Sequence, residues 1–285
     1  HSMITDDQEK DILARAYVPE HCVRLMTLVS GGEPFVVDDY FCCRTRDLVI
    51  VVGYPLNHEF RTAELEALRH TITEMFDPAI LAIIAPDLPE SFSSSCRERE
   101  SDWYYTLDLQ GDLPDRRRLR QATKAGREAT VERGRTLVEE HRRLALEFAE
   151  RIDPPPRIRE FLFGMWSYVG KSDGSVVLNA WRRDGELAAF YVVDVSAFAF
   201  ATYIIGCHSK ANYVAGASDL LFLEMIEMSR ELDKKYVHLG LGVNEGIRRF
   251  KKKWGGVPTL KYEMCELALK RRSFLTAIAS YWGPR

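Results

Sequence analysis

The stretch Tyr236–Gly256, "YVHLGLGVNEGIRRFKKKWGG", packs alternating glycines, an Asn-Glu pair and a run of cations into one short segment. Glycines at this density do chemistry when backbone amides must approach a phosphate. Gly240, Gly242 and Gly246 are spaced G-x-G-x-x-x-G, one residue longer than the dinucleotide fingerprint, and no Gly-Lys-Ser/Thr follows to complete a Walker loop. They read instead as positions where a strand bends away and a helix packs close. The cations are more informative. Ile247, Phe250 and Trp254 share one face of a short helix, and Arg248, Arg249, Lys251, Lys252 and Lys253 cover the rest. Few acidic residues balance them, which favours an anionic ligand. A second cluster, Arg116, Arg117, Arg118, Arg120, Lys124 and Arg127, makes another basic helix, only partly offset by Asp115 and Glu128. It suits RNA phosphates, a nucleotide-linked acceptor, donor phosphates or an interdomain ion-pair helix.

These clusters are local features of a chain whose formal net charge is −3, so nothing global drives it toward nucleic acid or acidic membranes. With 285 residues there is room for one large or two ordinary domains, and 46% hydrophobic with 28% charged residues excludes collagen-like and disordered classes. The six cysteines show no C-x-x-C spacing, so no metal is expected. Without a signal-peptide pattern they read as buried reduced thiols of a cytoplasmic protein. The apolar run Leu187–Ile205 approaches a membrane span in length, but Asp194 and Ser196 sit at its centre. Two buried strands around a tight turn explain it better, and no membrane span is expected.

The elements that must carry these residues repeat in pattern. "FVVDDYFCCRT" and "DLVIVVGYP" read as two strands, and Arg61–Phe76 as an amphipathic helix with Leu65, Leu68, Ile72 and Met75 on one face. "AILAIIAP" and "WYYTLDL" are further strands around a polar connector. After a basic helix near Pro114–Ala129 and a helical run over Arg135–Arg151, stopped by three prolines, the order recurs. A hairpin turns at Arg183-Asp184-Gly185, and "FAFATYIIGCHS" follows as a strand. The helix "SDLLFLEMIEMSRELDKK", the strand "YVHLGLGV", the short basic helix and a last strand complete it. Paired strands precede each helix, which predicts mixed α/β architecture with a largely antiparallel sheet in each half. The boundary is expected near residue 130, giving halves 4–130 and 131–285.

In this order and spacing, Trp103–Ala268 resembles the tandem acyltransferases of the GNAT superfamily, the group of Fem-type aminoacyltransferases and CelD-like acetyltransferases. The signature segments are "SDWYYTLDLQGDLPDRRRLRQATKAGREATVERG", "ASDLLFLEMIEMSRELDKKYVHLGLG" and the opening stretch. The resemblance implies two tandem GNAT-like domains and acyl transfer from an acyl-coenzyme A such as acetyl-CoA to an amine or hydroxyl. The acceptor would be a small or nucleotide-linked molecule. Its alternatives are aminoacyl transfer from a charged tRNA and a non-catalytic binding module. It also implies a donor carbonyl where two strands of the second half splay, with pyrophosphate on the amides opening the central helix. Gly206 and Ser209 would then line the cleft, with Gly216, Ala217 and Ser218 at the helix start and Ser218 as its N-cap. His208 is the base candidate, its ordinary pKa suiting proton removal near neutrality. Lys251 falls where a proton donor to the leaving group is expected, and Asn244 where a cap or substrate contact is. Arg120, Lys124, Arg127, Arg248 and Lys252 are the anion-binding candidates. Asp219, in the helix's first turn, departs from the usual loop, because it suits the dipole and repels a phosphate.

Overall fold

The computed structural model describes residues 4–112 and 116–269. In chain order, α1 (Asp6–Arg15), a 3-10 turn (Pro19–His21) and α2 (Val23–Ser30) lead into β1 (Glu33–Val37), β2 (Tyr40–Arg44) and β3 (Leu48–Val52). Next come α3 (Glu64–Phe76), β4 (Ile80–Ala85), α4 (Glu90–Ser93) and β5 (Cys96–Asp108). The chain continues with α5 (Arg116–Ala125), β6 (Ala129–Gly134), α6 (Glu139–Ile152), α7 (Pro156–Tyr168), β7 (Ser175–Arg182) and β8 (Leu187–Asp194). Last are β9 (Phe200–His208), α8 (Ala217–Glu231), β10 (Tyr236–Leu241), α9 (Glu245–Lys253) and β11 (Val257–Ala268). The expected start of the basic helix at Pro114 and everything beyond Leu269 lie outside the described residues.

Two compact units divide this chain. One holds the residues up to Tyr104, Leu241–Val243 and the chain from Pro258; the other holds Tyr105–Gly240 and Asn244–Val257. The boundary expected near 130 falls at the start of β6, inside the second unit.

In the first unit the strands lie in the order β1-β2-β3-β4-β11-β5. β1, β2 and β3 pair antiparallel, whereas β3 and β4 pair parallel. A parallel pair needs a crossover, and α3 supplies it. Leu65, Leu68 and Ile72 of α3 are buried against Leu81 and Ile83, as their helical spacing predicts. α3 ends where Asp77 turns left-handed (φ 44°) ahead of Pro78. The single strand expected over "FVVDDYFCCRT" is two, because Asp38 takes φ 50° and folds β1 back on β2. The expectation of reduced thiols holds for Cys22, Cys42, Cys43 and Cys207, which are buried and form no disulfide. It fails for Cys96 and Cys265, which form a disulfide. They lie on the neighbouring strands β5 and β11, a proximity created by the sheet and not by sequence spacing.

In the second unit the order is β5-β10-β9-β8-β7-β6, antiparallel from β6 to β9 and parallel between β9 and β10, with α8 as the crossover. β8 is buried along its whole length. Phe190 meets His141 of α6, while the Tyr191 hydroxyl reaches the Ser218 carbonyl in α8. Successive strand residues point to opposite faces, so α6 and α8 cover the two sides of this sheet. The proline run ends α6 as expected, yet Pro156 also opens α7. Proline is tolerated there because the first helical N–H has no intrahelical partner to lose. Among the described residues no helix is long and apolar enough to cross a membrane.

Between β8 and β9 the buried Asp194 accepts from the Ser196 amide (2.8 Å) and from the Ser196 and Tyr168 hydroxyls. Asp194→Ala leaves three donors without their acceptor, one of them on a fully buried tyrosine, at an expected cost of about 2–4 kcal/mol. A urea unfolding curve reads this directly. A loss below roughly 0.5 kcal/mol means the turn does not depend on that carboxylate.

Candidate functional site

β9 and β10 run parallel over only three residue pairs, Phe200–Thr202 with Tyr236–His238. Beyond them β10 turns at Gly240, whose φ of 71° is left-handed, and the His238 ring accepts the Gly240 N–H (3.0 Å). β9 continues to His208 with Tyr203 to Gly206 half-buried, so the strands part as the sequence led us to expect. At the apex, the buried Thr202 hydroxyl has no hydrogen-bond partner among the described residues. Sequence reasoning did not find Thr202, since a threonine inside an apolar strand carries no signal of its own.

Gly206 lies under Tyr191 and Tyr203, and a Cβ there would come within 2.8 Å of the Tyr191 ring. His208 closes the strand half-buried, its ring 5.7 Å from Phe148 and its carbonyl accepting from Arg151 (2.9 Å). Burial and the Arg151 charge lower its pKa against the opposing pull of Glu147, so the imidazole is neutral at pH 7. A neutral imidazole can accept a proton.

The loop between β9 and α8 is held by one carboxylate. Glu147 of α6 accepts from the Ser209 hydroxyl (2.7 Å) and from the Lys210 (2.6 Å) and Ala211 (3.1 Å) amides. Burial raises its pKa, but those three donors and Arg151 outweigh burial and hold the carboxyl below its usual range. Ser209 is therefore engaged in the loop, and its Oγ also accepts from the Asn212 amide (2.9 Å).

α8 opens on Gly216 (φ 79°), which is the N-cap in place of Ser218. A left-handed cap position favours glycine, and the cap lies two residues earlier than the serine suggested. A Cβ on Gly216 would lie 2.7 Å from the Gln121 carbonyl, so α5 crosses directly over the start of α8. Ala217 is buried, and Ser218 gives its carbonyl to Tyr191. Asp219 is buried in the first turn, and one of its oxygens accepts from the Trp254 indole (3.0 Å) and Arg118 (3.3 Å).

That carboxylate brings the two basic helices to one place. α5 reaches it through Arg118, and the end of α9 through Trp254, which also stacks on Phe222 of α8 (4.7 Å). Phe250 meets Phe222 edge-on, as the apolar face predicts, but Ile247 is 37% exposed and does not join it. Asn244 caps α9 by accepting the Ile247 amide (2.9 Å). Lys251 is buried, Arg248 half-buried and Lys252 exposed. Arg120, Lys124 and Arg127 are exposed on and just after α5. Gly206, His208 and Ser209 thus line the strand end, and the remaining candidates gather around α8 and its two neighbours. Among the described residues no group of three or more His, Cys, Asp or Glu side chains could hold a metal ion.

Residues 115–252 match the family model described as an acetyltransferase (GNAT) domain. The whole chain is similar in fold to the C-terminal domain (DUF2156) of a putative lysylphosphatidylglycerol synthetase from Agrobacterium fabrum. That likeness has 14% identity and a TM-score of 0.61, covering 98% of each chain. It is similar to FemX at 12% identity and TM-score 0.64, over 92% of this chain and 96% of that one. A tandem GNAT protein from the clavulanic acid biosynthesis pathway matches at 14% identity and TM-score 0.56, over 94% and 97%. No protein of curated function matches the sequence.

Two outcomes follow from this geometry. Gly216→Ala forces a left-handed alanine against the Gln121 carbonyl, so we expect about 1–3 kcal/mol of lost stability by thermal or urea unfolding; an unchanged midpoint means α5 does not cross there. His208, neutral and lowered in the folded state, takes up protons more readily when unfolded. Stability therefore falls as pH drops through the ordinary histidine value near 6.5 toward the folded one. His208→Gln should flatten the unfolding midpoint across that window, and an unaltered pH slope contradicts the lowered pKa.

Proposed function

The chain belongs to the GNAT superfamily, and on that premise we propose that it transfers an aminoacyl group from the ester of a charged tRNA to an amine or hydroxyl acceptor. One observation carries the choice of donor. Where a coenzyme A pyrophosphate would lie, Glu147 takes the Lys210 and Ala211 loop amides, Asp219 is buried in the first turn of α8, and the Gln121 carbonyl closes on Gly216. Two carboxylates and a carbonyl oxygen repel a diphosphate, and the residues present there do not suit it. The acyl-coenzyme A donor implied by the sequence is the rival. Likeness in fold to a putative lysylphosphatidylglycerol synthetase domain and to FemX supports an aminoacyl group as cargo.

In this reading the ester carbonyl lies where β9 and β10 part. Neutral His208 removes a proton from the acceptor nitrogen or oxygen as it attacks the carbonyl carbon. The new C–N or C–O bond forms, the donor's ester C–O bond breaks, and the departing ribose oxygen takes the proton that His208 removed, which returns the imidazole to its neutral form. The Thr202 hydroxyl is a donor left over for a bound oxygen. Asn244 is engaged as a cap and Lys251, the expected donor to the leaving group, is buried, so the proposal rests both proton removal and proton return on His208. A charged-tRNA donor also fits the cytoplasmic location expected from the sequence. The division into halves at residue 130 is retained as the proposed boundary of the repeat.

The test offers the protein radiolabelled aminoacyl-tRNA or acetyl-coenzyme A with a panel of amine and hydroxyl acceptors, alongside thermal unfolding with millimolar coenzyme A. We expect transfer from aminoacyl-tRNA, a loss of at least about a hundredfold in His208→Gln, and no thermal shift. A rise of several degrees with coenzyme A, together with transfer from its thioester, overturns the donor assignment. Binding of RNA with no transfer from any charged tRNA, and none from the thioester, leaves the non-catalytic module.

A further inference from the structure

The cations of α5 are left over once the helix is packed. Arg118 turns inward to Asp219, and Ala122 and Ala125 are buried, while Arg120, Lys124 and Arg127 stand exposed. None of these three has an ion-pair partner among the described residues, although other surface arginines such as Arg133, Arg182 and Arg249 find carboxylates. An ion pair inside the second unit therefore accounts for Arg118 and not for these three. Arg120 and Lys124, four residues apart, share one face of α5, and Arg127 follows in the turn just after it.

A second feature sits where α5 crosses α8. The loop that ends at Gly216, under the Gln121 carbonyl, carries Tyr213 at 64% exposure and the exposed Lys210. A tyrosine this exposed on a loop held in place by Glu147 has its ring face free, and a base can stack on it. Lys252 and Lys253 of α9 add exposed charge on the helix that Asp219 ties to the same point.

We propose that the stripe formed by Arg120 and Lys124 of α5 and Arg127 after it, together with Tyr213 on the loop that ends under Gln121, is the docking surface for the acceptor end of the tRNA. The stripe takes backbone phosphates and Tyr213 stacks an unpaired base. This rests on the aminoacyl-tRNA reading of the same site. An anionic membrane is the competing partner for basic residues, but a helix that lies on a membrane inserts a large apolar face. The apolar residues of α5 face inward, and its exposed positions are Arg, Lys and Thr.

The experiment uses the full chain and two variants, Arg120→Glu/Lys124→Glu/Arg127→Glu and Tyr213→Ala. It measures fluorescence anisotropy with uncharged tRNA across a salt series, kinetics with charged tRNA, and sedimentation with phosphatidylglycerol vesicles. All four substituted side chains are exposed, and unchanged melting temperatures verify that both variants fold. The triple variant should lose tenfold or more in RNA affinity, and its salt slope should fall by about 2, as three lost single-strand phosphate contacts require. KM for charged tRNA should rise while kcat holds. Tyr213→Ala should cost about tenfold in RNA affinity with the salt slope unchanged. Wild-type affinity and slope in the triple variant overturn the proposal, as does vesicle binding that the triple variant loses while RNA binding stays intact. If the wild type binds RNA through the stripe yet transfers nothing from any charged tRNA, the docking surface stands and the donor reading fails.

Discussion

The Asp219 carboxylate is the contact on which the second unit's site depends. It is buried in the first turn of α8, where the helix dipole favours a negative charge, and it receives an indole N–H and a guanidinium on one oxygen. Burying a carboxylate is costly unless such partners are close and well placed. Here each partner also anchors a helix. Trp254 fixes the end of α9 against Phe222, and Arg118 fixes α5 across Gly216. Without that carboxylate the buried indole would lose its acceptor and Arg118 would keep only Gln121, so both basic helices would lose their polar tie to α8.

Glu147 does for the loop what Asp219 does for the helix. Backbone amides after a strand end must find acceptors, and in this chain the acceptor comes from α6 and not from a ligand. Glu147 thus satisfies two loop amides and the Ser209 hydroxyl, while Asp219 satisfies an indole and a guanidinium brought by the neighbouring helices. His208 feels the same arrangement. Burial and Arg151 keep it neutral, and Glu147 only partly opposes them, so the residue at the strand end is a ready proton acceptor.

Local patterns were legible in the sequence and long-range partners were not. The spacing of Leu65, Leu68 and Ile72, the hairpin at Asp184-Gly185 and the break at Asp194–Ser196 each announce themselves within a few residues. The strand end at His208 could be located for the same reason. What Ser209 and Gly216 do there could not, because their partners Glu147 and Gln121 come from elements far along the chain. The same holds for Cys96 and Cys265, joined only because β5 and β11 are neighbours. Pro156 misled differently, since proline ends one helix and opens the next with equal ease.

The charge left on the surface follows from the charge spent inside. Arg118 is consumed by Asp219, so α5 docks on α8 with one cation inward and its remaining ones facing solvent. A donor gripped by a pyrophosphate needs one concentrated anion site, and here a buried carboxylate stands in the first turn of α8. A donor carried on a polynucleotide needs many dispersed contacts, each weak and salt-sensitive, and leaves its reactive end to be placed by the cleft. One packing choice, Arg118 turned inward to Asp219, both pairs the carboxylate at the start of α8 and leaves Arg120 and Lys124 on the surface. The fold can keep its parted strands and its base while changing the chemical handle by which the acyl group arrives.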